Sequence, residues 1–272
     1  ANIPTNSSSF FYLFPYLLLN KNSPLFFKRG KFIQSLPWLM QYLSNCRQSK
    51  VRDTSNKLTT LLSLVDEGYE DLFNDADIEN LISRESIFYV WSNKLFYNSA
   101  RKDFETREKT GVKIEIISKN EINDVEPNIN NIFYKGALFK GSYFAKNPKK
   151  ISEKLLQLFI EKGGNFKKEK IDEIKILDTN KVNIHTNENT YTYDRIVICA
   201  GVWSKKLTDK LGENIPLASE RGYHLMYPHP ENSISRPIAW QERGVYFTPM
   251  QDGLRAGGVV ELGGNSNEIS SK

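Results

Sequence analysis

Hydrophobic positions along the chain fall into two periods, one of two residues and one near 3.6, and one stretch joins them. Between Tyr193 and Gly222, residues Ile196, Val197, Ile198, Cys199 and Ala200 form a short continuous apolar run. That pattern predicts a strand buried on both faces of a parallel sheet, ended by Gly201. Leu207 and Leu211 then recur at helical spacing, and Gly212 stands where a left-handed C-terminal cap would stop the helix. A buried strand turning at a glycine into a helix is where open α/β sheets bind ligands, at the carboxyl ends of their strands. The same letters also suit an ordinary strand-to-helix turn.

Around this stretch the patterning alternates between helix and strand. Pro37 to Leu43 reads as a helix. Asn56 to Phe73 reads as another, with Leu58, Leu61, Leu62, Val65, Tyr69 and Leu72 on one packed face. Phe88 to Trp91 predicts a strand, Ser99 to Thr110 a charged surface helix ending at Gly111, and Ile114 to Ile117 a further strand. Ser118 and Glu121 have the spacing of a capping box opening a short helix that stops before Pro127. Gly136 to Phe144 predicts a strand. Asn147 and Pro148 are suited to the cap and first position of a helix whose stripe is Ile151, Leu155, Leu158 and Phe159, with Gly163 and Gly164 as its stop. Strands follow at Phe166 to Leu177, Val182 to Thr186 and Thr190 to Tyr193, and β-type alternation resumes from Pro216. The polar tail after Gly264 is expected to fray. The fold class expected is α/β, with an α+β admixture.

With 272 residues, 39% of them apolar and 12% aromatic, the chain is a globular protein and not a disordered one. Its net charge of +5 is dispersed among Lys, Glu and Asp and is not gathered into a stripe with interleaved aromatics, so a nucleic-acid partner is not expected. Cys46 and Cys199, the only cysteines, support neither a disulfide framework nor a zinc site, which suits a cytoplasmic setting. Phe10 to Leu19 is the most apolar stretch, but it is too short to span a bilayer and is interrupted by Pro15. It carries no basic segment before it and does not read as a signal peptide. Packing against the protein is expected for it; a peripheral contact at the inner membrane is the alternative.

Several of these segments, taken together and in order, resemble a known family. Asp194 to Ser204 (DRIVICAGVWS) looks like the second flavin-contacting strand of FAD-dependent amino-acid oxidoreductases. Ile215-Pro216-Leu217, Glu220 to His224 (ERGYH), Tyr246 to Met250 (YFTPM), Gly253-Leu254-Arg255 and Glu261 follow in that family's order. The chain thus resembles the D-amino-acid dehydrogenase branch of the D-amino-acid oxidase superfamily, most closely from about Ile114 to Gly264.

The resemblance implies an interrupted Rossmann-like FAD-binding domain and a substrate domain with a mixed sheet and flanking helices. Residues 1–30 would follow the family's glycine-rich opening, which is not found here as any GxGxxG. Residues 31–146 and 216–272 would form the substrate domain, and residues 147–215 the middle of the FAD domain. The resemblance further implies a fragment that is inactive alone, lacking that opening and a distal arginine that pairs with the substrate carboxylate. The implied cofactor is FAD and the implied partners are a small amino acid and an electron acceptor of unknown identity.

For the cofactor, the backbone at Ala200, Gly201, Val202 and Trp203 is the first candidate, because a glycine lets a ligand come close to the chain. Ile171 matches the family position whose backbone meets the adenine, or is an ordinary strand residue. Arg221 would order the flavin end of the domain, or pair with Glu220 or Glu242. His224 and Tyr246 are the candidates nearest the chemistry; a structural histidine and a core tyrosine are their plain alternatives. Arg255 and Glu261 match the pattern and would also serve as a cross-strand pair. No metal site is expected. The activity implied is oxidative deamination of D-amino acids by hydride transfer from the α-carbon to flavin. A glycine or sarcosine oxidase-like enzyme is the rival, and a non-catalytic basic binding domain the rival of another class.

Overall fold

The computed structural model describes residues 25–27, 32–177, 181–215, 217, 220–230 and 233–262. The Phe10 to Leu19 stretch and the tail after Gly264 lie outside the described residues. The chain divides into two compact units, one running to Leu158 and resuming at Arg221–Leu262, the other containing Phe159–Glu220.

The first unit is built on a mixed eight-stranded sheet. Its path runs β1 (Leu25–Phe27), β13 (Gly253–Leu262), β12 (Val245–Met250), β11 (Ile238–Trp240), β3 (Ile87–Trp91), β5 (Lys135–Lys140) and β4 (Lys113–Ile117), and β10 (Glu220–Tyr227) pairs with β13. The β1–β13 and β11–β3 pairs are parallel, and β12 is antiparallel to both its neighbours. Period-two alternation gives the sheet two apolar faces. Phe88, Val90, Leu138 and Ile238 point to one, packed with Ile117, Ile122 and Phe133. Trp91, Ala137 and Phe139 point to the other, where Tyr97 and Phe104 of helix α4 (Lys94–Glu108) cover them. The Trp91, Tyr97 and Phe104 rings meet edge-on or tilted at 5.5–6.4 Å between centroids, the geometry aromatic quadrupoles favour.

Local signals explain most boundaries. The Asn93 side chain accepts from Leu95 N–H to start α4, and Gly111, at φ 92°, follows its end. Glu121 accepts from Ser118 N–H at 2.8 Å in a reciprocal capping box ahead of the single helical turn α5 (Ile122–Val125). Asn147 Oδ1 caps α6 (Pro148–Glu161) by accepting from Lys150 N–H at 3.0 Å.

The second unit contains a three-stranded antiparallel sheet of β7 (Ile171–Ile176), β8 (Val182–Thr186) and β9 (Thr190–Tyr193), with α7 (Ser204–Lys210). Lys210 Nζ donates to the Asp172 carbonyl at 2.8 Å, tying α7 to β7.

Four sequence expectations are corrected. The helix expected over Asn56 to Phe73 is two helices, α2 (Gln48–Leu62) and α3 (Val65–Asp75). Thr59, Thr60 and Ser63 turn their hydroxyls back onto the carbonyls of Ser55, Asn56 and Thr60, a competition that ends the helix at Ser63. Its expected packed face is open: Leu61, Leu62, Tyr69 and Leu72 are exposed, while Val51, Ser55 and Phe73 are buried. Phe159 also leaves its stripe and is exposed, its ring lying beside Gly164. The strand expected over Gly136 to Phe144 breaks at Gly141, whose φ is 76°, into β5 and β6 (Phe144–Ala145), which pairs with β2 (Ile82–Ser83).

The fourth correction concerns the run Ile196 to Ala200. It forms no strand, Val197 is 83% exposed, and Cys199 is exposed instead of buried. A fully apolar run states where a strand would be stable, but a ladder needs a neighbour to receive its N–H and C=O groups. No described strand lies beside this run. Ala200 N–H donates instead to Ser204 Oγ at 3.1 Å.

Candidate functional site

A half-open pocket of about 270 Å³ lies on the first unit, lined by Gly222 and Tyr223 of β10, Tyr246 and Thr248 of β12, and Arg255, Gly257 and Gly258 of β13. The antiparallel register sets its shape. Tyr246 stands opposite Gly257, and Thr248 opposite Arg255. Two residues apart on their strands, these pairs share one face of the sheet. Gly222 has nothing within 4 Å of where a Cβ would stand, so the space beside its backbone is open. Gly258 is fixed by packing: a Cβ there would meet the Gly244 carbonyl oxygen at 2.0 Å.

Tyr246 is 37% exposed. Burial pushes its phenol above the usual tyrosine range, nearby Tyr89 adds to this, and a hydrogen bond with Gln241 and the charge of Arg107 oppose it. The hydroxyl therefore stays protonated across physiological pH and acts there as a neutral hydrogen-bonding group. Among the described residues of the lining, Arg255 is the one that carries a charge.

The structure brings some expected site residues together and separates others. Tyr246 lines the pocket, and Arg221 precedes the lining residue Gly222. His224 is exposed and does not line it; its Cβ lies 3.3 Å from where a Cβ of Gly257 would stand. Tyr223, Thr248 and Gly257 line the pocket without having been singled out. Their signal was present: alternation from Tyr246 places Thr248 on the same face, and the register then adds Arg255 and Gly257.

Ile171 and the segment Ala200 to Trp203 belong to the second unit. Gly201 has φ 56° and open space where a Cβ would stand, which leaves its backbone accessible. It begins a short 3₁₀ turn through Trp203 that leads into α7, and Gly201, Val202 and Trp203 are all exposed. Among the described residues no group of acidic, histidine or cysteine side chains is arranged to hold a metal ion. Nor is any described helix long and apolar enough to cross a membrane.

Solved structures share the fold of this chain. Glycine oxidase from Geobacillus kaustophilus superposes with a TM-score of 0.62 at 15% identity, covering 77% of this chain and 56% of its own. L-Proline dehydrogenase from P. horikoshii superposes with a TM-score of 0.64 at 14% identity, covering 82% and 58%. The chain belongs to the DAO family of FAD dependent oxidoreductases, whose profile matches residues 40–271. It is 26% identical over 251 residues to a D-amino-acid oxidase of Bradyrhizobium diazoefficiens, covering 92% of this chain and 59% of that protein. It is 23% identical over 261 residues to a D-amino acid dehydrogenase of Vibrio vulnificus, covering 94% and 62%. The chain thus spans about three fifths of the length of these relatives.

Proposed function

We propose that this chain forms part of an FAD-dependent enzyme that oxidises the carbon–nitrogen bond of D-amino acids. The observation that carries the reading is the β10–β12–β13 pocket, walled by Tyr246, Thr248 and Arg255, in a chain of this family. The curated relatives named D-amino-acid oxidase and D-amino acid dehydrogenase support the substrate class. On this reading residues 31–146 and 216–272 form the substrate side, and residues 147–215 part of the flavin side.

The residues present fit a flavin. Gly201 offers an open backbone with no side chain in the way, and Gly222 offers the same beside the pocket. On the second unit, Ala200 to Trp203 would approach the dinucleotide, with Ile171 toward the adenine; on the first, Arg221 and Gly222 stand at the pocket. When bound, the flavin supplies the acceptor for the hydride that leaves the substrate α-carbon. The chain's own work is positional. The Tyr246 phenol, neutral at working pH, holds a polar group of the amino acid by a hydrogen bond. Phe139, Tyr89 and Trp91 pack together on the same face of the sheet.

The test is spectroscopic. The protein containing this chain should purify yellow, and its flavin should bleach anaerobically on addition of D-amino acids. Bleaching by glycine or sarcosine alone would transfer the reading to a glycine oxidase-like enzyme. A colourless protein carrying nucleic acid would overturn it in favour of a basic binding domain.

A further inference from the structure

We propose that the open apolar face of α2 and α3 docks a second copy of this chain, packed about a two-fold axis at the break between the two helices. The sequence writes an apolar stripe through this region at the spacing of a buried helix face. The structure leaves it uncovered: Leu61 is 68% exposed and Leu64 61%, and Leu62, Tyr69 and Leu72 stand open with them. The helices are already anchored elsewhere, through buried Val51, Ser55 and Phe73, the last packed with Ala76, Ile78 and Leu81. The open leucines are therefore surplus to the fold, and an apolar patch of this kind marks a docking surface. Ser63 and Leu64 both keep a right-handed helical backbone, and Gly68 N–H donates to the Leu64 carbonyl at 3.0 Å. Helix α3 thus carries on from α2 with a bend.

Charge names the occupant. Helix α2 carries Lys50, Arg52 and Lys57 against a single acid, Asp53. Helix α3 carries Asp66, Glu67, Glu70, Asp71 and Asp75 and no base. Some of these groups are engaged: Lys57 pairs with Asp53 at 2.8 Å, Arg84 pairs with Glu70 at 2.9 Å, and Asp66 accepts from the Tyr143 hydroxyl at 3.3 Å. Arg52, Glu67 and Asp71 are exposed and make no ion pair among the described residues. The acids of α3 would repel an anionic lipid surface, and the bases of α2 a basic partner. A face of two signs with an apolar middle is complemented by its own copy, turned end for end. A two-fold axis at Ser63 and Leu64 lays α2 of one copy along α3 of its partner, bases against acids on both sides. Leu61, Leu62 and Leu64, beside the axis, then meet their counterparts and leave water. No residue of the pocket takes part, so the proposal is independent of the enzyme reading.

Sedimentation equilibrium of the protein containing this chain should show a reversible dimer that weakens as salt is added. The double variant Leu61→Asp with Leu64→Asp should weaken dimerisation at least tenfold, with the circular dichroism of the parent, since both positions are exposed. Reversing α2 alone (Lys50→Glu with Arg52→Glu) or α3 alone (Glu67→Lys with Asp71→Lys) should weaken the dimer. All four reversals in one chain should restore it, which a merely damaged fold would not do. A dimer indifferent to the two leucine substitutions, or one that the four reversals together fail to restore, would overturn the proposal. So would a monomer at every concentration. Among monomers, a lowered thermal midpoint in Leu64→Asp would assign the cover to another part of the same chain. Sedimentation with vesicles of phosphatidylcholine and phosphatidylglycerol, lost in the leucine variant, would assign the face to a membrane and overturn the proposal likewise.

Discussion

Tyr246 faces Gly257 across the β12–β13 pair, so a large amphipathic ring occupies the ladder position opposite a residue without a side chain. The arrangement gives the phenol a pocket wall without a cross-strand neighbour competing for the space. It also makes Tyr246 a polar reporter of that pocket that can be altered without removing its packing.

Tyr246→Phe keeps the ring and deletes one hydroxyl. A neutral hydrogen bond contributes about 0.5–1.5 kcal/mol, so kcat/KM for a D-amino acid is expected to fall roughly three- to tenfold. Flavin content and thermal midpoint should stay as in the parent. Lowered stability with unaltered turnover would assign Tyr246 to the core instead.

Gly201→Val tests the cofactor segment. Gly201 sits at φ 56°, where a β-branched residue is strained by about 1–3 kcal/mol, and the open space beside it would be filled. The variant is expected to lose flavin while keeping its far-ultraviolet circular dichroism. Full flavin occupancy, read from the ratio of visible to protein absorbance, would make Gly201 a turn residue only.

Gly136→Ala addresses the core. A Cβ at Gly136 would lie 2.4 Å from Phe88 Cε2 and 2.6 Å from Cζ, and Phe88 is fully buried. Overpacking of this kind costs about 1–3 kcal/mol. Urea denaturation should show a lower midpoint with an unchanged slope; an unchanged midpoint would mean that the Phe88 ring moves aside freely.

Glu121 gives a pH dependence with a definite sign. Hydrogen bonds from Ser118, side chain and backbone, hold its carboxyl below the ordinary value of 4.5, with a small further pull from Lys135. A folded pKa below the unfolded one means the cap's contribution is complete above about 4.5 and is lost as pH falls through the lower folded value. The stability gap between the parent and Glu121→Gln, followed by thermal midpoint from pH 6 to pH 3, should therefore close on acidification. A gap that stays constant would show that the charge plays no part.

Local signals in the sequence were sufficient for most of the first unit and for the end of α6. Ser118 with Glu121, Asn147 with Pro148, and Gly111 and Gly163 act within a few residues, and their effect does not depend on distant strands. Phe88 to Trp91 is legible for a related reason: its unbroken run of aromatic and β-branched residues suits a strand packed on both faces. Ile196 to Ala200 fails because hydrophobicity specifies burial without supplying the strand to pair with. The break at Ser63 was missed because apolar spacing continues through it, whereas the cause lies in the hydroxyls of Thr59, Thr60 and Ser63. The pocket was half legible. Tyr246 stands out by residue type, but Thr248, Arg255 and Gly257 join it in the pocket only through the β12–β13 register, which no single strand encodes.

The two sulfur atoms of the protein's cysteines differ sharply in reach, since Cys46 is fully enclosed and Cys199 is open two residues before Gly201. A maleimide dye would therefore attach at one address only, without any engineered residue. Its rate of attachment would report, from within the native sequence, whether something has come to rest on the Gly201 turn.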